Sequence, residues 1–323
     1  MGFAGMSTTA VAVVNYNTRD LLRQCLDTVL IEIPDEIVVV DNASSDGSAE
    51  MVKADFPGIT LLENKKNLGY SVAVNQAVRH CSSEFILLLN SDTLVKPGTL
   101  HTLADYMHLN LQVAVVGPRL VNPDGSLQAS CYSFPTPLDI FLDVTHLSRL
   151  IGYVPYLKER HLRSWSHNRT RHVPWVLGAA TLLRRKSLEE VGGFEESFFM
   201  YYEEVDLCYR LTKRGWQIHY NPAVVVTHIG GASTQQARAE MAVQFYSSLA
   251  HFYSLHYSHI RMAELVIIIT CVALGRLVRD TLLFSITKQA DKRTQLQANL
   301  EAWQRLLRGD WRWQQSRRGS NSG

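Results

Sequence analysis

Short apolar runs separated by amphipathic stretches of helix length dominate the first ninety residues. Ala10–Val14, Glu36–Val40, Ile59–Glu63 and Phe85–Leu89 each read as a strand. The last is apolar at every position, the pattern of a strand buried on both faces of a parallel sheet. Between the strands, Leu21, Leu22, Cys25, Leu26 and Val29 recur at helical spacing behind a Thr18 N-cap. A second helix is expected over Ala49–Asp55, and a third opens at Asn67-Leu68-Gly69 and runs to His80. This alternation predicts βαβ units: an α/β fold on a Rossmann-like, mostly parallel central sheet flanked by helices.

The pattern loosens from Pro118 to about Pro174. Asn122-Pro123-Asp124-Gly125 is a tight-turn signal, and helical spacing returns weakly around Leu138–Leu150. The basic segment His161–His172 reads as a mobile surface loop. Val176–Leu183 is apolar again, and a helix from Ser187 ends at Gly192-Gly193. After Gly231 the composition changes. Ala239–Tyr257 is helical, and the apolar run Leu265–Gly275 is interrupted by Arg276, Arg279 and Asp280. That run is short for a membrane span, so residues 265–286 suit a membrane-surface helix, a core helix or an interface helix. These shifts divide the chain into residues 8–232, with halves 8–117 and 118–232, and a helical C-terminal extension over 233–323.

Composition narrows the class only a little. The 323 residues suffice for a large core, and a net charge of +2 gives no reason to expect nucleic acid. Five scattered cysteines lack any Cys-x-x-Cys spacing, which argues for a reducing compartment and against a zinc site. No basic segment followed by an apolar one opens the chain, so no signal peptide is expected. From Lys288 onward, eight basic residues face three acidic ones, with Trp303, Trp311 and Trp313 interleaved. Basic residues with tryptophan favour an anionic membrane surface. The expected location is therefore cytoplasmic, peripheral at the inner face of the cytoplasmic membrane.

Polar residues sit at the strand ends, where open α/β sheets bind ligands. They are Asn15-Tyr16-Asn17, Asp41 with the loop to Ser48, and Asn90-Ser91-Asp92. Asp41 suits hydrogen bonds to a base or ribose, or simply caps its loop. Asp92 suits a divalent cation held against phosphate oxygens, or a turn. His228, after the apolar run Ala223–Val226, is either a structural histidine or the further ligand that Asp92 lacks. In Phe198–Arg210, Glu203, Glu204 and Asp206 open a helix among aromatics. One of them suits a general base; as first-turn charges they also favour the helix dipole, and Asp206 lies four residues before Arg210. Trp175 to Ala180 suits either a sugar-stacking turn or core packing.

Together these motifs resemble the family 2 glycosyltransferases, inverting GT-A enzymes that include many bacterial rhamnosyltransferases. Asn15-Tyr16-Asn17, Val38–Ser48, Asn67-Leu68-Gly69-Tyr70 and Asn90-Ser91-Asp92 match the nucleotide-sugar half. Trp175–Ala180, Gly192-Gly193-Phe194 and Phe198–Arg210 with Gly215-Trp216 match the acceptor half. The resemblance spans about residues 8–232 and implies transfer of one sugar, from a nucleotide-diphosphate donor such as dTDP-rhamnose, to a glycan or lipid-linked acceptor. It implies that Asn15, Asn17, Asp41, Asn67, Gly69, Asn90 and Asp92 border the donor, and that Asp92 and His228 hold Mg²⁺ or Mn²⁺. Trp175, Gly178, Ala179 and Asp206 would border the acceptor. The family's Glu-Asp position reads Glu203-Glu204 here, which assigns the base to Glu204 and leaves Glu203 in play. The first acid of the metal motif is replaced by Asn90, and the Gln-x-x-Arg-Trp motif of processive synthases is missing from the sequence. A sugar-nucleotide pyrophosphorylase and a non-catalytic carbohydrate-binding scaffold are the competing classes. The first would be expected to carry a Gly-rich, basic phosphate loop near Val14–Asn17, where none is present.

Overall fold

A computed structural model describes residues 8–144, 162, 165–230 and 238–311. They form two compact units. The larger is built on a mixed sheet in the order β3-β2-β1-β4-β11-β6-β12-β5. Here β1 is Thr9–Asn15, β2 Glu36–Asp41, β3 Thr60–Glu63 and β4 Phe85–Asn90. Then β5 is Thr93–Val95, β6 Val113–Val121, β7 Leu127–Gln128, β8 Cys131–Tyr132, β9 Arg171–His172, β10 Trp175–Val176, β11 Ala180–Arg184 and β12 Gln217–His228.

The expected parallel half is present. β1 pairs in parallel with β2 and β4, and β2 with β3. Successive residues of β1 feed opposite faces: Ala10, Ala12 and Val14 join one apolar cluster, Val11 and Val13 the other. Both faces of β1 and β4 are thus buried, which is why these two strands read as unbroken apolar runs. Parallel register also aligns strand ends, placing Asn15 opposite Asp41 and Val14 opposite Asn90. Helices α1 (Arg19–Ile31), α2 (Ser48–Asp55) and α3 (Tyr70–His80) make the crossovers.

β11 departs from the simple pattern by lying antiparallel between β4 and β6. The buried Arg184 at its end is held by the carbonyls of Val113, Met107 and Asn110. The described part of His161–His172 is not a free surface loop. Leu162, Trp165 and His167 are buried, Tyr220 donates to the His167 carbonyl at 3.0 Å, and Arg171–His172 pairs with β12. Burial of Trp165 outweighs the segment's basic charge.

The second unit includes residues 135–144, 200–202 and 238–311. Its helices are Pro137–Val144, Arg238–His256, His259–Ile286 and Ala290–Arg308. Asp280 is fully buried, where Trp303 Nε1 donates to it at 2.9 Å and Arg279 pairs with it at 2.6 Å. The Arg276 guanidinium lies 5.1 Å from the centre of the Trp303 ring. Trp303 and Trp311 are both buried, so these tryptophans do not form the exposed aromatic anchor that the sequence suggested. Among the described residues, no helix is long and apolar enough to cross a membrane.

Candidate active site

The strand ends bring a dense polar network to one edge of the sheet. Asn15 Nδ2 donates to Asp41 Oδ1 at 2.9 Å, and the Ser44 N–H donates to Asp41 Oδ2 at 2.9 Å. Thr18 Oγ1 donates to Asn15 Oδ1 at 2.7 Å and lies 2.7 Å from Ser91 Oγ. Asn15 is wholly buried and Asp41 nearly so, so Asn15 braces the site from behind rather than lining it. Asn17, in a left-handed conformation, is half-buried and accepts from the Ser45 N–H at 2.8 Å. Asn67 Oδ1 accepts from Asn42 Nδ2 at 2.9 Å and from the Gly69 N–H at 3.0 Å. Asn42 is the bracket that sequence reasoning passed over: its Oδ1 also accepts from the Leu68 N–H at 3.0 Å.

Gly69 has a positive φ of 86°, and a Cβ there would lie 2.7 Å from the Phe199 carbonyl oxygen. That carbonyl accepts the Tyr70 N–H at 2.7 Å, so it cannot retreat freely. Gly69→Ala is expected to cost about 3 kcal/mol, combining an unfavourable φ with a backbone clash. The melting temperature should fall by on the order of 10 °C in a thermal scan.

Asp92 and His228 meet at the far edge. β12 pairs antiparallel with β5, setting His228 opposite Thr93, and the Ile229 N–H donates to the Asp92 carbonyl at 3.0 Å. His228 Nε2 consequently lies 3.3 Å from Asp92 Oδ1, with both residues buried. Gln128 Oε1 is 2.7 Å from His228 Nδ1; its separation of 100 residues hid it from sequence reading. One carboxylate and one imidazole suit Mg²⁺ or, better, Mn²⁺. Among the described residues no group of three or more His, Cys, Asp or Glu could hold a metal, so ligands from outside the chain would have to complete the shell. Asn90 points elsewhere: its Oδ1 accepts from the Tyr70 hydroxyl at 3.0 Å.

Glu203 and Glu204 open the helix Glu203–Lys213. Glu203 is buried and Glu204 half-buried, and the Oε2 atom of each is shielded with no hydrogen-bond partner among the described residues. Burial pushes the Glu203 carboxyl well above the ordinary glutamate range, and the adjacent Glu204 charge adds to this. Burial also raises Glu204, opposed by backbone N–H groups that include that of Gly178. Tyr70 connects the two ends of the site. Its hydroxyl also lies 3.5 Å from the Gly178 carbonyl. Burial, then the charges of Glu203, Glu204 and Asp92, hold it well above the usual tyrosine range, so it stays a protonated donor. Its place in Asn67-Leu68-Gly69-Tyr70 was the only signal of this role in the sequence.

The remaining predicted residues divide. A Cβ on Gly178 would lie 3.5 Å from Glu204 Cβ, so this glycine borders the acids directly. Ala179 is buried and its carbonyl accepts the Asn90 N–H at 2.9 Å, a sheet contact. Trp175 is half-buried, stacked on Tyr132 at 4.6 Å, with Nε1 donating to the Ser133 carbonyl at 2.9 Å. Asp206 is a correction. It is fully buried and receives Arg210 Nε at 2.7 Å, while Arg210 also holds the Val191 and Gly193 carbonyls. A carboxylate closed off in this way does not meet an acceptor sugar.

Comparison with known proteins fits this geometry. A family model described as "Glycosyltransferase like family 2" matches residues 7–247. The chain belongs to glycosyltransferase family 2. It is 30% identical over 240 residues to the N-acetylglucosaminyl-diphospho-decaprenol L-rhamnosyltransferase of Mycobacterium tuberculosis, covering 69% of this chain and 76% of that protein. It is 24% identical over 228 residues to the rhamnosyltransferase WbbL of Escherichia coli, covering 68% and 82% of the two chains. Among solved structures, the mannosyltransferase PcManGT of Pyrobaculum calidifontis superposes with a TM-score of 0.55 at 18% identity, over 95% of this chain and 88% of that one. The fold of this family 2 glycosyltransferase is therefore GT-A, an α/β architecture with a helical C-terminal region.

Proposed function

We propose that this glycosyltransferase moves a single sugar, with inversion, from a nucleotide-diphosphate donor to a hydroxyl of a lipid-linked glycan precursor. The observation that carries the reading is the Tyr70 hydroxyl, bound to Asn90 and within the electrostatic reach of both Asp92 and the Glu203-Glu204 pair. Tyr70 thus stands between the proposed diphosphate end at Asp92 and the proposed acid end at Glu203-Glu204. Relatives named as rhamnosyltransferases, one for an N-acetylglucosaminyl-diphospho-decaprenol, support rhamnose as the sugar and a polyprenyl-linked glycan as acceptor, with dTDP as the nucleotide of this reading.

The chain's residues divide the work. Asn17, Asn67 and the Asp41 loop border the nucleoside, with Asn15 bracing Asp41 through the 2.9 Å bond. Asp92 and His228 would hold a divalent cation; the Pyrobaculum mannosyltransferase, solved with GDP-Man and Mn²⁺, supports a metal-assisted donor site. Bound there, the cation supplies positive charge that stabilises the departing diphosphate. Glu204 takes the proton of the acceptor hydroxyl as its oxygen bonds to the anomeric carbon and the bond to the diphosphate oxygen breaks. Attack from the face opposite the leaving group inverts that carbon. Burial raises both carboxyls, and in this reading Glu203 is the member that keeps its proton, which keeps a second negative charge away from Glu204. Screening nucleotide diphosphates for Mn²⁺-dependent thermal stabilisation tests the site, and absence of a shift with every nucleotide would sink it.

Within the helical unit, His259–Ile286 has two apolar faces. Leu265, Ile269, Val272 and Ala273 are buried on one. Ile260, Ile267, Leu274, Val278, Leu282 and Ile286, on the other, are 49% to 73% exposed. At 100° per residue these six form one stripe about 39 Å long. Lys288, Lys292 and Arg293 follow its end, so the stripe and its basic flank suit an anionic bilayer surface. Ile267→Glu and Val278→Glu together should abolish flotation with anionic vesicles, and unchanged flotation would overturn this placement.

A further inference from the structure

We infer that Gln128 is a positioning residue that fixes the His228 imidazole with its proton on Nδ1, turning the Nε2 lone pair toward Asp92 as a seat for a divalent cation. The inference rests on the metal role given above to Asp92 and His228, and adds the device that prepares it. Its starting point is a carboxylate in the turn between β6 and β7. Asp124 Oδ1 accepts only, so Ser126 Oγ, 2.6 Å away, spends its hydrogen there. Ser126 Oγ can then only accept from Asn122, which fixes the Asn122 amide with Nδ2 toward Ser126 at 2.9 Å. Asn122 Oδ1 is left facing Gln128 Nε2 at 3.2 Å, which donates. Gln128 Oε1 in turn faces His228 Nδ1 at 2.7 Å and accepts, so Nδ1 carries the proton. Each amide orientation follows from its neighbour along this chain of hydrogen bonds.

The consequence lies on the other side of the ring. Nε2 is 3.3 Å from Asp92 Oδ1, and an imidazole lone pair facing a carboxylate is repulsive unless positive charge lies between them. A proton or a metal ion supplies that charge, and a metal ligated by Nε2 needs the Nδ1–H tautomer that Gln128 enforces. β-Sheet pairing makes the device rigid: Gln128 is registered opposite Leu120, and β12 runs beside the same β6. The tight turn Asn122–Gly125, closed by a 2.9 Å bond from the Gly125 N–H to the Asn122 carbonyl, thereby acts through Gln128 on a histidine 100 residues beyond that glutamine.

The test uses the full chain with Gln128→Met, which keeps the length but loses the acceptor, and Gln128→Glu, which restores one. Mn²⁺ binding in the presence of saturating dTDP, followed by electron paramagnetic resonance, should weaken about 10- to 100-fold in Gln128→Met and recover in Gln128→Glu. Long-range ¹H–¹⁵N spectra with Mg²⁺ should show the His228 ring, assigned by its loss in His228→Asn, protonated at Nδ1 in the wild type and mixed in Gln128→Met. Equal Mn²⁺ affinity in a Gln128→Met protein with an unchanged circular dichroism spectrum would overturn the inference, as would a wild-type ring bare at Nδ1. No Mn²⁺ binding by the wild type beside a protonated Nδ1 would reject the cation seat, and the metal reading with it, while leaving the tautomer relay standing.

Discussion

Replacing Glu204 by Gln should lower kcat/KM by about 10²- to 10⁴-fold, the span expected for losing a general base. Replacing Glu203 by Gln should leave most of the activity. The contrast follows from electrostatics rather than from position. Two buried carboxyls side by side share the cost of ionising, and the one pushed higher keeps its proton longer. Burial raises both carboxyls; the Glu204 charge adds to the rise at Glu203, and the Gly178 N–H is among the groups that favour ionised Glu204. A protonated Glu203 and a glutamine have nearly the same shape and charge, so Glu203→Gln imitates the working state. Collapse of activity in Glu203→Gln, with Glu204→Gln active, would reverse the assignment.

The same pair sets a pH dependence whose signs can be stated. With Glu204 as the proposed base, the acid limb of kcat/KM should lie above the ordinary glutamate value of about 4.3. Stability runs the other way. Folding favours the protonated pair, so stability is lost as pH rises from the unfolded value through the raised folded values. In Glu203→Gln the acid limb should move little, since the amide keeps that position neutral as the proposed mechanism requires.

The parts of this architecture that could be read in the chain are those set by local physics. Phe85–Leu89 announces itself because a strand covered on both faces has no polar positions to spare, and Asn90-Ser91-Asp92 marks its end. The antiparallel insertion of β11 could not be read, because Ala180–Arg184 pairs with strands laid down about 65 to 100 residues earlier. The same distance hid Gln128 from His228. Asp206 misled because a carboxylate in the first turn of a helix looks alike whether it faces a substrate or Arg210. Trp303 misled for the opposite reason. Its basic neighbours suggested a wet surface, yet its indole N–H satisfies the buried Asp280, which a tryptophan facing lipid headgroups would leave unpaired.

Asp92→Asn should erase the metal-dependent part of donor binding while leaving the fold intact. In the wild type, a nucleoside diphosphate with Mn²⁺ at 100 times its Kd should stabilise the protein by about 2.7 kcal/mol, a rise of roughly 5–10 °C in Tm. Asn preserves the volume and one oxygen but removes the charge, and His228 alone offers a cation only a neutral nitrogen. The shift should shrink to what nucleotide alone produces, and transfer should fall at least about 10²-fold. The fold should tolerate the change because the backbone of this edge is held independently: the Ile229 N–H bonds to the Asp92 carbonyl, and Thr93 pairs with His228 through the sheet. His228→Ala should give a smaller loss, since it removes a ligand but keeps the carboxylate that binds the ion most strongly. The ordering Asp92→Asn below His228→Ala below wild type, read in Mn²⁺-dependent Tm shifts, separates a charge-led site from one led by the imidazole. Equal shifts in all three proteins would place the cation elsewhere.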